Sequence, residues 1–279
     1  MGVVDWTRYW RSTDGRPLEA MHAHFERHAY HRHSHETYSF GVTEAGAQGF
    51  TCRGEGRVSA AGMVMAFNPD DPHDGHAVDA LGFTYRIVHI GPEVIAEASG
   101  ALPLFADPVV ADPALADALR AVHAAVLPAD ERITATALRR DELLDRAVRL
   151  LVRRGATRPA GPIGGAPQAA VARTARELLD ARFMDDVGGD DLAHAAGRSR
   201  FAVYRSFRAA YGLAPSDYQR QLRLREARRL LTAGLRPATA AAEAGFADQA
   251  HLTRWFRRYY GITPAVFAGS AYGGVDGPS

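Results

Sequence analysis

Residues 245–264 read "GFADQAHLTRWFRRYYGITP". Leu252 and Phe256 stand four apart, so they fall on one stripe of a helix, while Gln249, His251 and Arg254 occupy its other faces. Asp248 is placed to cap the start of that helix. Gly261 is placed to end it in left-handed backbone, and Thr263 with Pro264 opens the next helix, the threonine as cap and the proline in the first turn. The same grammar occurs 49 residues earlier, where "YRSFRAAYGLAPSDY" (204–218) aligns with "TRWFRRYYGITPAVF" (253–267). Arg205 pairs with Arg254, Phe207 with Phe256, Tyr211 with Tyr260, Gly212 with Gly261, Pro215 with Pro264 and Tyr218 with Phe267. Six matches at one offset indicate a duplicated unit.

Each copy is preceded by a short helix, "DDLAHAAG" (190–197) and "ATAAAEAGF" (238–246), and Ser199 caps the second helix of the first copy. Helix, glycine-containing turn, helix is the helix-turn-helix plan. Between the copies "PSDYQRQLRLREARRLLTAG" predicts one long amphipathic helix with Leu222, Leu230 and Leu231 in its core. Charge singles out the same region. The whole chain of 279 residues carries +1, but residues 192–267 hold 13 arginines against 4 acids. A basic module on an otherwise near-neutral chain points to a polyanion partner. All 33 basic residues are arginine, which contacts phosphate and guanine in bidentate fashion where lysine cannot. The plainer interpretation of such residues is a solvated polar face. Two copies within so basic a segment favour DNA binding.

These residues closely resemble the signature of AraC/XylS-type transcription regulators: Gly-Phe, a polar pair, an aromatic-anchored arginine helix, then Gly-x-Thr-Pro. The likeness spans residues 170–268. It implies two helix-turn-helix units bridged by a long helix, with both recognition helices entering successive major-groove segments of a double-stranded operator, about one helical turn apart. It carries base-facing roles onto Arg200, Phe201, Tyr204 and Arg205 in the first copy and onto Gln249, Ala250, His251 and Arg254 in the second. Arginine reads guanine and glutamine reads adenine, whereas Ala250 offers only an apolar contact. A homodimer, and contact with RNA polymerase if the chain activates, are further expectations.

Upstream, "GATRPAGPIGGAPQ" (155–168) has a linker's composition. Before it, "DPALADALRAVHAAVL" (112–127) and "DERITATALRRDELLDRAVRLLVRR" (130–154) place Leu115, Leu119, Val122 and Val126, then Leu143, Leu144, Val148, Leu151 and Val152, at helical spacing. Such stripes either pack on a neighbouring domain or form a dimer interface. The first ninety residues alternate short extended runs with turns, and "GFTYRIVHIGPE" sets Phe83, Tyr85, Ile87 and His89 on one face. This predicts a β-sandwich or small barrel. The stretches "HSHETYSFGVTEAGAQGF" (33–50) and "GMVMAFNPDDPHDGH" (62–76) resemble the two motifs of a cupin-like sensing domain.

The expected fold is therefore a two-domain α+β chain. A cupin-like β-barrel that binds an effector (1–92) is followed by a helical dimerisation or packing region (93–154). A linker (155–169) then leads to an all-α double helix-turn-helix domain (170–270).

"YHRHSHE" (30–36) raises the question of chemistry. In a regular strand His31, His33 and His35 line one face. The cupin resemblance directs His33 and His35 into the barrel with His73 as their third partner, His76 as a fallback, and His31 flanking. His33, His35 and His73 can hold a divalent metal, can hydrogen-bond a small-molecule effector without one, or can be structural. The resemblance adds Tyr38 to the effector pocket, provided the strand twists or bulges, since a regular strand points it away from His33 and His35. Ser39 and Phe40 occupy the positions where a cupin metal centre has its glutamate, which weighs against the alternative of a cupin dioxygenase or isomerase fused to a DNA-binding module. No catalytic residue and no cofactor beyond that metal are expected. One cysteine, Cys52, forms no intrachain disulfide, and neither the first ten residues nor any apolar run reads as a signal peptide or membrane helix. A cytoplasmic location without membrane partners is the expectation.

Overall fold

The computed structural model describes residues 5–12, 18–99, 102–126, 137–157, 166–269 and 275–278. It divides into two compact units, Met1–Pro159 with Tyr260–Ser279, and Ala160–Tyr259.

The first unit is mostly antiparallel strand. It contains β1 (Trp6–Ser12), β2 (Leu18–Phe25), β3 (Tyr30–His33), β4 (Tyr38–Cys52), β5 (Glu55–Ala60), β6 (Val64–Phe67), β7 (His73–Ala77) and β8 (Phe83–Ile90). After these come α1 (Pro92–Ser99), β9 (Leu104–Phe105), β10 (Val109–Val110), α2 (Pro113–Val126), α3 (Ala137–Gly155) and β11 (Ala156–Thr157). The order β10-β6-β4-β8-β2-β1 forms one layer. The strand β4 joins it to a second. Its first half pairs with β6 and β8, and from Ala47 onward it pairs with β5 and β7, which in turn carries β3. The strand bends at Gly46, whose φ is +68° and whose added Cβ would lie 2.1 Å from the Gly82 carbonyl oxygen. Only glycine meets both demands.

Alternation along β4 and β8 gives both faces of the layer a job. Tyr38, Phe40, Val42, Val88 and Ile90 point outward and join one core with Leu115, Leu119, Val122 and Val126 of α2 and Leu144, Val148 and Leu151 of α3. The helical stripes thus pack on the sheet, the first of the two roles open to them. Each such leucine contributes roughly 1.5–3 kcal/mol by leaving water. Glu44 of β4 ties the layers further, accepting from Arg86 Nε at 3.1 Å and from Arg120 Nη2 at 3.0 Å. The opposite face holds Ser39, Thr43, Tyr85 and His89. At one end of it Phe25, Phe83 and Tyr85 cluster, and the Tyr30 and Tyr85 hydroxyls meet at 2.7 Å.

The second unit is helical: α4 (Ala166–Arg182), α5 (Gly189–Ala196), α6 (Arg200–Tyr211), α7 (Pro215–Thr232), α8 (Pro237–Glu243) and α9 (Gln249–Tyr260). Predicted caps are present as hydrogen bonds. Ser199 Oγ accepts from the Ala202 amide at 3.3 Å, and Asp248 Oδ1 from the His251 amide at 2.6 Å. Gly212 and Gly261 both take left-handed backbone, φ +69° and +70°. Val203, Phe207, Leu213 and Tyr218 close a core with Ala175, Leu179 and Leu192. On α7 the buried positions are Pro215, Tyr218, Gln221, Leu224, Ala227, Leu230 and Leu231, with Leu222 only half-buried. The chain closes with α10 (Pro264–Gly269) and β12 (Val275–Pro278), which pairs antiparallel with β1.

Residues 158–165, the bulk of the expected linker, lie outside the described residues, as does 127–136, which takes in the last residue of the first predicted helix and the start of the second. Among the described residues no helix is long and apolar enough to cross a membrane.

Candidate functional site

Two clusters of side chains carry the expected chemistry. The first lies on α6 and α9, helices of equal length that start 49 residues apart. Their inward stripes, Val203 and Phe207 on one and Leu252 and Phe256 on the other, are fully buried. This fixes the roll of each helix and turns the remaining positions outward. Arg200, Phe201, Tyr204 and Arg205 are exposed, as are Gln249, Ala250 and Arg254, while His251 is half-buried with its ring 5.4 Å from that of Phe246. Phe201 is 74% exposed, which costs free energy in an isolated domain and fits a surface that meets a partner. The Arg205 guanidinium sits 5.5 Å over the Phe201 ring. Arg200 forms an exposed bidentate pair with Asp190 of α5. A base contact by Arg200 would exchange that pair, at a modest cost for so exposed a site. On α7, Arg220 stacks over Trp255 at 3.8 Å, bracing α9 from behind.

The second cluster lies in the first unit. His33 ends β3, His73 begins β7, and the two are cross-strand partners. His35 is not in a strand. It sits in the four-residue turn between β3 and β4, held by a hydrogen bond from the Asp70 amide to its carbonyl oxygen at 2.7 Å. The expectation of one uninterrupted strand is corrected here: a register shift between Tyr30 and His33 breaks the alternation. His31 is consequently exposed although His33 is buried. Even so, the ligand nitrogens of His33, His35 and His73 lie within 4.8 Å of one another. The exposed ring of His76 is outside this group.

Tyr38 is not brought to the histidines. Its ring is buried among Phe40 and Phe105 on the helix-covered face, and its hydroxyl donates to the Pro103 carbonyl at 2.7 Å. The pairing of Ser39 with His89 escaped the sequence reasoning. These residues are register partners across β4 and β8, with Ser39 Oγ 2.8 Å from His89 Nδ1, and the His89 ring lies 4.8 Å from His35. The signal was present in the alternation that put His89 on the Phe83, Tyr85 and Ile87 face.

Burial, and next the neighbouring His73, hold the His33 imidazole well below its usual range. Burial brings His73 down to about 4. Both rings are therefore neutral near pH 7.

Comparison with known proteins bears on both clusters. Residues 17–150 match the family described as the AraC-like ligand binding domain, and residues 192–270 match a helix-turn-helix domain family. The two matches together are those of an AraC-type transcription regulator. Over 227 residues, 79% of this chain and 80% of the other, it is 28% identical to YbfI, an uncharacterized HTH-type transcriptional regulator of Bacillus subtilis (strain 168). The transcriptional activator NphR of Rhodococcus sp. is 39% identical over 83 residues, 29% of this chain and 24% of NphR. The crystal structure of unsaturated fatty acid-bound ToxT from Vibrio cholerae strain SCE256 aligns with 95% of this chain and 94% of its own, at a TM-score of 0.53 and 8% identity. That likeness shows the fold of this AraC regulator. It is a DNA-binding transcription regulator with an N-terminal ligand-binding domain.

Proposed function

We propose that this regulator reads its operator through Arg200, Phe201, Tyr204 and Arg205 on α6 and through Gln249, Ala250, His251 and Arg254 on α9. It senses a small molecule at His33, His35 and His73. The observation that carries this is the repeated recognition helix, whose buried stripe aims the same helical positions outward twice within a segment of 13 arginines and 4 acids. Arg205 and Arg254 are matched positions of the two copies and serve as base readers. Ala250 gives apolar contact to a thymine methyl. Residues 170–270 act as the DNA-binding domain and 1–92 as the effector domain, with 93–154 as the packing region and 155–169 as the linker. The working form is a cytoplasmic homodimer that contacts RNA polymerase if it activates. The effector shifts DNA binding only by favouring one of two arrangements of the chain. The chain acts as a regulator rather than an enzyme, a reading supported by its helix-turn-helix match and its regulator relatives.

Salt tests the electrostatic part. With about six to ten phosphates neutralised, affinity for a random duplex falls roughly 10³–10⁵-fold between about 50 and 200 mM salt. Fluorescence anisotropy on the full chain measures it. A dissociation constant that barely moves with salt contradicts the assigned surface.

A further inference from the structure

We propose that His33, His35 and His73 hold one divalent ion of the zinc type without any protein carboxylate, and that the ion's open position takes the anionic oxygen of a small organic acid, the effector. This rests on reading the first unit as the effector domain and names the class of ligand it takes.

His33 Nδ1 is 2.6 Å from the His31 carbonyl oxygen, and His73 Nδ1 is 2.8 Å from that of Asp71. Each ring donates its Nδ1 proton to the carbonyl two residues back, which places the lone pair on Nε2 in both. A carbonyl on the far nitrogen is the arrangement that orients histidine toward a metal. His33 Nε2 and His35 Nε2 are 3.2 Å apart. Two imidazole nitrogens bound to one ion at about 2.0–2.1 Å in tetrahedral geometry lie about 3.3–3.4 Å apart, so this edge of the triangle is already the right length. Phe67 stacks flat on His73 at 3.9 Å and 5°, and fixes that ring from its face.

The position of the expected acid decides the charge. Phe40 points into the helix-covered core, so of the two positions where a glutamate would stand only Ser39 faces the cluster. Its partner there is His89. The nearby acids are engaged elsewhere. Asp71 accepts from Arg53 Nε at 3.1 Å and from the Asn68 amide group at 2.7 Å, and Asp74 accepts from the Thr51 amide at 2.6 Å. Three neutral imidazoles leave the ion's charge of +2 in place, and a buried uncompensated charge is costly. An anion at the open position compensates it. His89, paired with Ser39, stands beside His35 as a hydrogen-bonding group for that anion, and the rings of Phe67 and Tyr30 beside His73 and His33 suit an apolar body.

The experiment uses the full chain, stripped with a chelator and titrated with cobalt(II) alone. Visible absorbance reports tetrahedral coordination, and circular dichroism monitors folding. Binding of one cobalt per chain is expected. His35→Ala, at a half-buried position that spares the core, should weaken it by at least about 10–100-fold, and His76→Ala should leave it unchanged. Addition of acetate, benzoate or octanoate should then alter the cobalt spectrum. A folded chain that takes up no cobalt, or a His35→Ala protein that binds it like the parent, overturns the metal site. A spectrum unmoved by all three acids overturns the anionic effector. Neither outcome touches DNA binding, so a chain that selects its operator yet takes up no cobalt refutes this inference alone.

Discussion

Replacing Arg205 and Arg254 together with alanine is expected to reduce the preference for operator over random DNA by about 2–6 kcal/mol. Each arginine that reads a guanine contributes about 1–3 kcal/mol of discrimination. The two sit on different helices, each exposed at the same helical position, with no partner shared between them among the described residues, so their losses add. Arg205 is held over Phe201 by its ring contact, and Arg254 lies one turn beyond the capped start of α9. Both project from exposed positions on helices whose starts are capped. Competition anisotropy with the two duplexes measures the difference. Losses of equal size on both duplexes would mean that the arginines touch only phosphates.

Phe207→Ala is expected to destabilise the helical unit by about 3–5 kcal/mol, the cost of removing a fully buried phenylalanine and leaving its cavity. Its ring lies 4.8 Å from that of Tyr211 and 5.4 Å from that of Tyr218. It sits where α4, α5, α6 and the start of α7 meet, so no neighbour can swing in without leaving its own place. Against a total stability of about 5–15 kcal/mol, this lowers the melting temperature enough to read by calorimetry or urea titration. Its counterpart Phe256, equally buried, should cost as much. A loss below about 1 kcal/mol at either position would show that the stripe does not set the roll of its helix.

The helical unit was legible because its determinants are local. The Asp248 and Ser199 caps, the glycines at 212 and 261 and the stripes four residues apart all act within a turn or two of the chain. The duplication then shows each signal twice. The barrel was legible as alternation, which placed His89 with Phe83, Tyr85 and Ile87, but not as register. That Ser39 faces His89, fifty residues away, follows from the β4 and β8 pairing, and no local pattern contains it. "YHRHSHE" misled for the same reason. Its alternation reads as one strand, while the pairing of β3 with β7 shifts between Tyr30 and His33 and sends His31 outward. Leu115 and Val148 show a third limit. Their stripes announced burial without naming what covers them, and the sheet does.

Selection of duplexes from a random pool by the full chain tests the central claim most directly. Two base-reading helices on one unit predict a bipartite site, its two elements about 10–10.5 base pairs apart. Arg205→Ala should relax one element and Arg254→Ala the other. A pool that yields no enriched sequence, or a single element indifferent to both substitutions, would contradict the account.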